Sequence, residues 1–147
     1  MYITMEELSK FVDDRYIKRG REIVAEGSVG LEHIKTDSLT AYAIGTAFYI
    51  IEIQRHATGI TGTCSCPAFI DFGPCKHIAA AVLARLDSHY MPSDFYYEQK
   101  ELFDMMTKSL MKKSKEELIF FIFRLGNYDP EVMRFIEDEC NDESDAD

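Results

Sequence analysis

A chain of 147 residues, 46% hydrophobic and 12% aromatic, is long enough for one ordinary domain, or for a small domain with a helical appendage. The apolar run Leu-Ile-Phe-Phe-Ile-Phe over 118–123, like every other in the sequence, is far shorter than the roughly 20 residues a bilayer span needs, which excludes a membrane helix. The formal charge of −10 argues against nucleic acid only until it is mapped: from Asp129 on, nine carboxylates face Arg134 alone, so that end holds −8 and the other 128 residues −2.

The first residues lack the basic and then apolar pattern of a secretory signal, so the expected location is a reducing cytoplasm. There, clustered cysteines indicate a metal rather than disulfides.

Thr4 with Glu7 three residues later reads as a capping box, and apolar Leu8, Phe11, Val12, Ile17, Ile23 and Val24 carry helical spacing to about Glu26. Gly27 is the stop, and Gly20 in mid-pattern predicts a break or a close approach. Strands are expected near 29–35, 39–45, 48–54 and 60–64, with connections short enough for an antiparallel meander. The run 77–86 (HIAAAVLARL) reads as a helix whose alanines admit a close neighbour. Residues 90–93 read as a linker, with Ser93 capping a helix from Asp94 to about Met111. Ser114 and Glu117 form a second capping box for a helix ending near Gly126, and Asp129-Pro130 opens a last one to about Glu139. The helix carrying Leu118 to Leu125 is apolar on nearly every face and is expected to be buried between neighbours.

Three of the four cysteines and a histidine fall within fourteen residues, as Cys64-Ser-Cys66 and Cys75-Lys-His77 with eight residues between the pairs. Three thiolates and one imidazole make a closed tetrahedral set for Zn²⁺, at about 2.3 Å for sulfur and about 2.0 Å for nitrogen. Two ligands one residue apart reach the same ion if the residue between them turns outward, and Pro67 stiffens that knuckle. Gly73-Pro74 supplies the turn that returns the second pair. With no spare acidic ligand the set predicts one structural zinc and no catalysis. A nucleophile reading of Cys75 lacks an orienting acid, and a zinc deaminase would need an H-x-E partner upstream.

C-x-C-x8-C-x-H followed by an alanine-rich helix resembles the SWIM-type zinc finger. The stretch "CSCPAF....GPCKHIAAAVLA" is similar to that family's C-x-C-P...C-K-H-x-A-A-x-x-x-A form. Upstream, "RYIKRGREIVAEGSVGLEHI" (15–34) and "AYAIGTAFYIIEI" (41–53) resemble the arm, first strand and second hairpin of bacterial and archaeal members. The resemblance implies that Cys64, Cys66, Cys75 and His77 are the zinc ligands. It also implies binding of DNA or protein, beside Swi/Snf-type helicase-like ATPases, transposases or recombination proteins. No ATPase or transposase domain is present in this chain, so the resemblance implies contact without chemistry.

The most basic stretch before the linker is Lys10 to Arg21. Within it Lys18, Arg19 and Arg21 with Tyr16 are candidates to grip phosphates and stack a base, and Lys76 beside the ligands is a fifth. His33, His56 and His89 lack ligand-like spacing, and Cys140 reads as a free thiol. The expected architecture is α+β: an N-terminal helix, a small antiparallel sheet, a zinc knuckle locked to a helix, and C-terminal helices. Its expected divisions are a SWIM-type module over 1–91, a helical segment over 92–140 and a disordered acidic tail over 141–147. The expected function is a nucleic-acid-binding accessory protein, or alternatively a protein-interaction adaptor; no small-molecule substrate and no membrane partner are expected.

Overall fold

The computed structural model describes residues 1–142. It divides into two compact units, Met1–Phe103 and a second from Asp104, with the division inside a long helix. Of the expected acidic tail, residues 143–147 lie outside the described residues, whereas Asn141 and Asp142 close the last helix.

The first unit opens with α1 (Met5–Phe11) and α2 (Asp14–Ala25), followed by β1 (Val29–Ile34), β2 (Ser38–Ile44), β3 (Phe48–His56) and β4 (Gly59–Cys64). The strands pair antiparallel in sequence order, as the short connections require. Then come α3 (Pro67–Phe72), α4 (Lys76–Leu86) and the start of α5 (Asp94–Met111). The architecture is the expected α+β.

The single N-terminal helix expected to Glu26 is in fact two. The break falls not at Gly20 but after Phe11, where Val12 is extended and Asp13 caps α2 by accepting the Arg15 N–H at 2.9 Å. An Asp side chain that captures a backbone donor two residues on competes with helix continuation. The Thr4/Glu7 capping box forms as expected. Glu7 does more, because its carboxylate also accepts from Arg55 of β3 at 2.8 and 3.0 Å, while Arg55 Nη2 reaches the Tyr2 carbonyl. The guanidinium holds the Glu7 carboxyl down to about 2, and the Thr4 N–H adds to this.

Gly20 is where the other expectation holds. It sits in the buried stripe of α2 with Ile17 and Ile23, and a Cβ placed on it would meet Ala79 Cβ at 2.8 Å and Ala80 N at 2.9 Å. A helix pair this close needs small residues on both sides, which explains the alanines of α4. That helix is sandwiched between α2 and the sheet, so every residue from His77 to Ala84 is buried. The sheet presents Leu39, Ala41 and Ala43 of β2 with Ile51 and Ile53 of β3 to the same core. Strict alternation along β2 and most of β3 puts these on one face.

The opposite face carries Tyr42 and Phe48, on which Phe103 of α5 packs at 5.5 and 4.4 Å between ring centroids. A bulge between Leu31 and His33 interrupts the β1 ladder at Glu32, whose carboxylate accepts from the Tyr96 hydroxyl at 3.1 Å and meets Lys100 at 3.5 Å. Gly27, with φ +68°, ends α2, and its carbonyl accepts from Ser93 N–H and Oγ at the head of α5. Residues 90–93, read as a linker, are thereby tied to the first unit, and Tyr90 Oη donates to the Val29 carbonyl at 2.5 Å.

The second unit contains α6 (Lys115–Tyr128) and α7 (Pro130–Asp142). Ser114 and Glu117 form the expected capping box, and Asp129 accepts the Glu131 N–H at 3.0 Å. Gly126 leaves room for Met133, which a Cβ would meet at 2.4 Å. The expectation that α6 is buried fails: Ile119, Phe120 and Phe123 are 53%, 66% and 54% exposed. One partner helix covers one stripe, and α6 is apolar around its circumference.

Candidate metal centre

Cys64 ends β4 in register with Ile51, so the sheet itself fixes the first ligand. Ser65 turns outward as the knuckle requires; it is exposed, its N–H donates to the Ile50 carbonyl at 3.0 Å, and its hydroxyl accepts the Ile50 N–H at 2.9 Å. That two-way clamp holds the knuckle to β3. Cys66 is the N-cap of α3, and Pro67 occupies the first turn, where a missing N–H costs nothing. The sequence reading assigned Pro67 to the knuckle but missed the six-residue helix it starts. Gly73 ends that helix at φ +79°, a conformation that favours glycine, and the chain returns to Cys75, the N-cap of α4. His77 lies in the first turn of α4, 4% exposed.

The four side chains converge. Their ligand atoms all lie within 4.8 Å of one another, and all four residues are buried. His77 Nδ1 is 3.8 Å from Cys64 Sγ and 3.8 Å from Cys75 Sγ. A tetrahedron built on zinc bond lengths of about 2.0–2.3 Å has edges of about 3.5–3.8 Å, so these separations fit one ion at the centre. The hydrogen bond with the Cys75 sulfur, and then burial, push the Cys64 thiol up, and burial pushes Cys66 up. Cys75 is drawn down by its bond with Cys64, by the imidazole, and by the N–H groups of Ile78 and His77. A bound dication deprotonates all three thiols outright.

Around the ligands stands a support the sequence did not reveal. The Tyr49 ring packs on the His77 imidazole at 4.7 Å between centroids, and its hydroxyl is 2.7 Å from Thr46 Oγ1. Gly45, in the β2–β3 turn, makes room for both: a Cβ there would lie 2.9 Å from the Tyr49 ring and 3.6 Å from His77 Nε2. The only sequence signal was a glycine in a turn, which any hairpin would supply.

Of the five residues expected to contact nucleic acid, three meet at the metal centre. Tyr16, Arg19 and Lys76 line a cavity of about 280 Å³ together with Thr46, Tyr49 and the ligand residues Cys66, Cys75 and His77. Lys18 and Arg21 do not line it; both are exposed on α2. Outside the site, His56 Nε2 is 2.8 Å from Thr61 Oγ1, His33 and His89 are exposed, and Cys140 is an exposed free thiol.

A closed, buried Cys3His set at the junction of a strand and a helix defines a structural zinc knuckle, with all four tetrahedral positions supplied by protein. Residues 59–86 match the family model of the SWIM zinc finger, a segment that holds all four ligands and the whole of α4. The zinc centre is therefore of SWIM type, a binding module and not a catalytic one. No curated protein matches the chain, and no solved structure matches it. Among the described residues no helix is long and apolar enough to cross a membrane.

Proposed function

We propose that this protein is a nucleic-acid-binding accessory module in which zinc fixes the shape of the surface and takes no part in chemistry. The observation that carries the reading is the placement of Lys18, Arg19 and Arg21. All three are exposed on α2, and none has an ion-pair partner among the described residues. The opposite stripe, Ile17, Gly20 and Ile23, locks that helix onto α4 beside the metal ligands. Cations on a rigid helix bind phosphates with little reorganisation, and the acidic charge is concentrated after Asp129, away in sequence. From the family resemblance of the finger, the partner we propose is a separately encoded helicase-like ATPase or recombination enzyme.

Fluorescence anisotropy of the zinc-loaded protein on single- and double-stranded DNA, across a salt series, tests this. Affinity should fall steeply with salt, and neutralising Lys18, Arg19 and Arg21 together should flatten the slope by about two to three units on a log–log plot. Removing the residues after Glu139 should strengthen binding. Absence of salt-dependent binding in every form would defeat the proposal.

One observation favours a second reading, a protein-interaction adaptor. Ile119, Phe120 and Phe123 expose apolar surface that soluble helices normally cover. It predicts negligible DNA affinity and co-purification with one specific protein, lost on Phe120→Ser.

A further inference from the structure

We infer that the cavity beside the zinc knuckle is a subsite for one phosphorylated nucleoside unit, with Arg19 and Lys76 on the phosphate and Tyr16 against the base. For a strand as the source of that unit, the inference rests on the nucleic-acid reading above.

The cavity's wall has a charge balance unlike that of the chain around it. Acids outnumber bases 26 to 16 in the whole sequence, yet no carboxylate lines this cavity, and its charged side chains are Arg19 and Lys76. Neither has an ion-pair partner among the described residues. A cavity at the α1 end, beside the β3–β4 turn, shows the contrast, since Glu6 and Glu7 line it and Glu6 pairs Lys10 at 2.6 Å. Three thiolates and a neutral imidazole around a dication carry one net negative charge, and two cations exceed that by one. The surplus calls for an anion.

The anion's class follows from the rest of the wall. A volume of about 280 Å³ sits at the lower edge of the range of about 300–1,000 Å³ typical of ligand pockets, enough for one nucleotide unit and not for a duplex. Tyr16 is half-buried, and the Arg15 guanidinium lies 4.9 Å from its ring centroid, which helps to hold the ring in place. A held aromatic ring beside two cations is the arrangement that stacks a base while its phosphate is gripped. The Thr46 and Tyr49 hydroxyls, 2.7 Å apart, add hydrogen-bonding capacity on the wall. The cavity lies between α2, the β2–β3 turn and the start of α4, and its volume takes one unpaired unit. The unit comes from a single strand or from a free nucleotide.

The test uses the zinc-loaded full chain with a labelled oligothymidylate, a matched duplex, and thymidine monophosphate, read by anisotropy and calorimetry. Parent, Tyr16→Phe, Tyr16→Leu, Arg19→Gln and Lys76→Gln are compared, each checked for zinc content and thermal unfolding. Arg19→Gln and Lys76→Gln should each weaken the oligomer about five- to tenfold and reduce the salt slope by about 0.7. Tyr16→Leu should weaken it about tenfold, whereas Tyr16→Phe, which keeps the ring and the fold, should bind like the parent. Duplex affinity should ignore Tyr16→Leu. Oligomer binding without monophosphate binding identifies a strand as the source, and monophosphate binding as tight as the oligomer identifies a free nucleotide; either supports the subsite. Strong DNA binding indifferent to all three positions overturns the subsite and leaves the nucleic-acid reading standing. Loss of zinc with unchanged oligomer affinity in Arg19→Gln and Lys76→Gln assigns the cations to the thiolates and overturns it too. Failure of every oligomer and of the monophosphate to bind overturns both readings.

Discussion

Gly20 of α2 lies so close to Ala79 of α4 that a Cβ on the glycine would stand 2.8 Å from the alanine Cβ and 2.9 Å from the Ala80 backbone nitrogen. In an isolated helix Gly20→Ala would stabilise by about 1 kcal/mol. Here the added methyl has backbone in its way, and overpacking of this kind costs about 1–3 kcal/mol. The expected outcome is a net loss of stability of about 1–2 kcal/mol, measured by denaturant unfolding. A stabilised Gly20→Ala protein would show that α2 does not dock on α4 at this distance.

The zinc site carries a larger consequence. Structural zinc contributes about 10 kcal/mol or more at neutral pH, comparable to the whole stability of about 5–15 kcal/mol that a domain possesses. One zinc per reduced chain is expected by native mass spectrometry. Chelation, or Cys75→Ser, should unfold the Met1–Phe103 unit, seen as loss of near-ultraviolet dichroism from its tyrosines. Cys140→Ser should change neither the stoichiometry nor the fold, because Cys140 is exposed and outside the cluster.

The ligands were legible in the sequence because ligand identity, spacing, Pro67 and the Gly73 turn are local features, and the fold kept all of them. The four strands were legible for the same reason, their alternation being written residue by residue. What was not legible depends on distant partners. Asp13 carried the signal for the helix break, but an apolar pattern running past it masked the cap. Glu32 has no sequence mark of a bulge; its place is set by Tyr96 and Lys100 more than sixty residues on. The apolar run of α6 announced a helix correctly, but periodicity says nothing of how much of that helix a neighbour covers. Likewise, Tyr16, Arg19 and Lys76 were chosen for charge and aromaticity, and only the docking of α2 on α4 puts them at one cavity.

Support for the imidazole gives a third expectation. Tyr49 packs its ring on His77 and fixes the ring from the far side through Thr46. Groups that orient a metal ligand are worth about 10- to 100-fold in metal affinity. Tyr49→Leu should therefore weaken zinc binding about tenfold in competition with a chromogenic chelator. Tyr49→Phe, which loses only the Thr46 hydrogen bond, should cost about 1 kcal/mol of stability and leave zinc affinity near the parent value. Equal zinc affinity in Tyr49→Leu would mean that the sulfurs alone position the ion.

The Glu7–Arg55 pair ties α1 to β3, and its acid dependence has a definite sign. The Glu7 carboxyl is lowered from 4.5 to about 2, chiefly by the hydrogen bonds from Arg55 and then by the Thr4 N–H. A group whose folded value is depressed stabilises the fold fully above its unfolded value and ceases to do so as pH falls through the folded one. The contribution should thus be complete above about pH 5 and decline between about pH 4.5 and pH 2. Metal loss in acid would mask this in the parent alone, so the informative quantity is the difference between the parent and Glu7→Gln at each pH. Glu7→Gln should be less stable near neutrality, and the gap should close as the pH approaches 2. Arg55→Met in the same series should narrow the gap, because the carboxylate loses its main partner and keeps only Thr4. A gap that stays constant down to pH 2 would show that Glu7 acts only through its uncharged contacts in the cap.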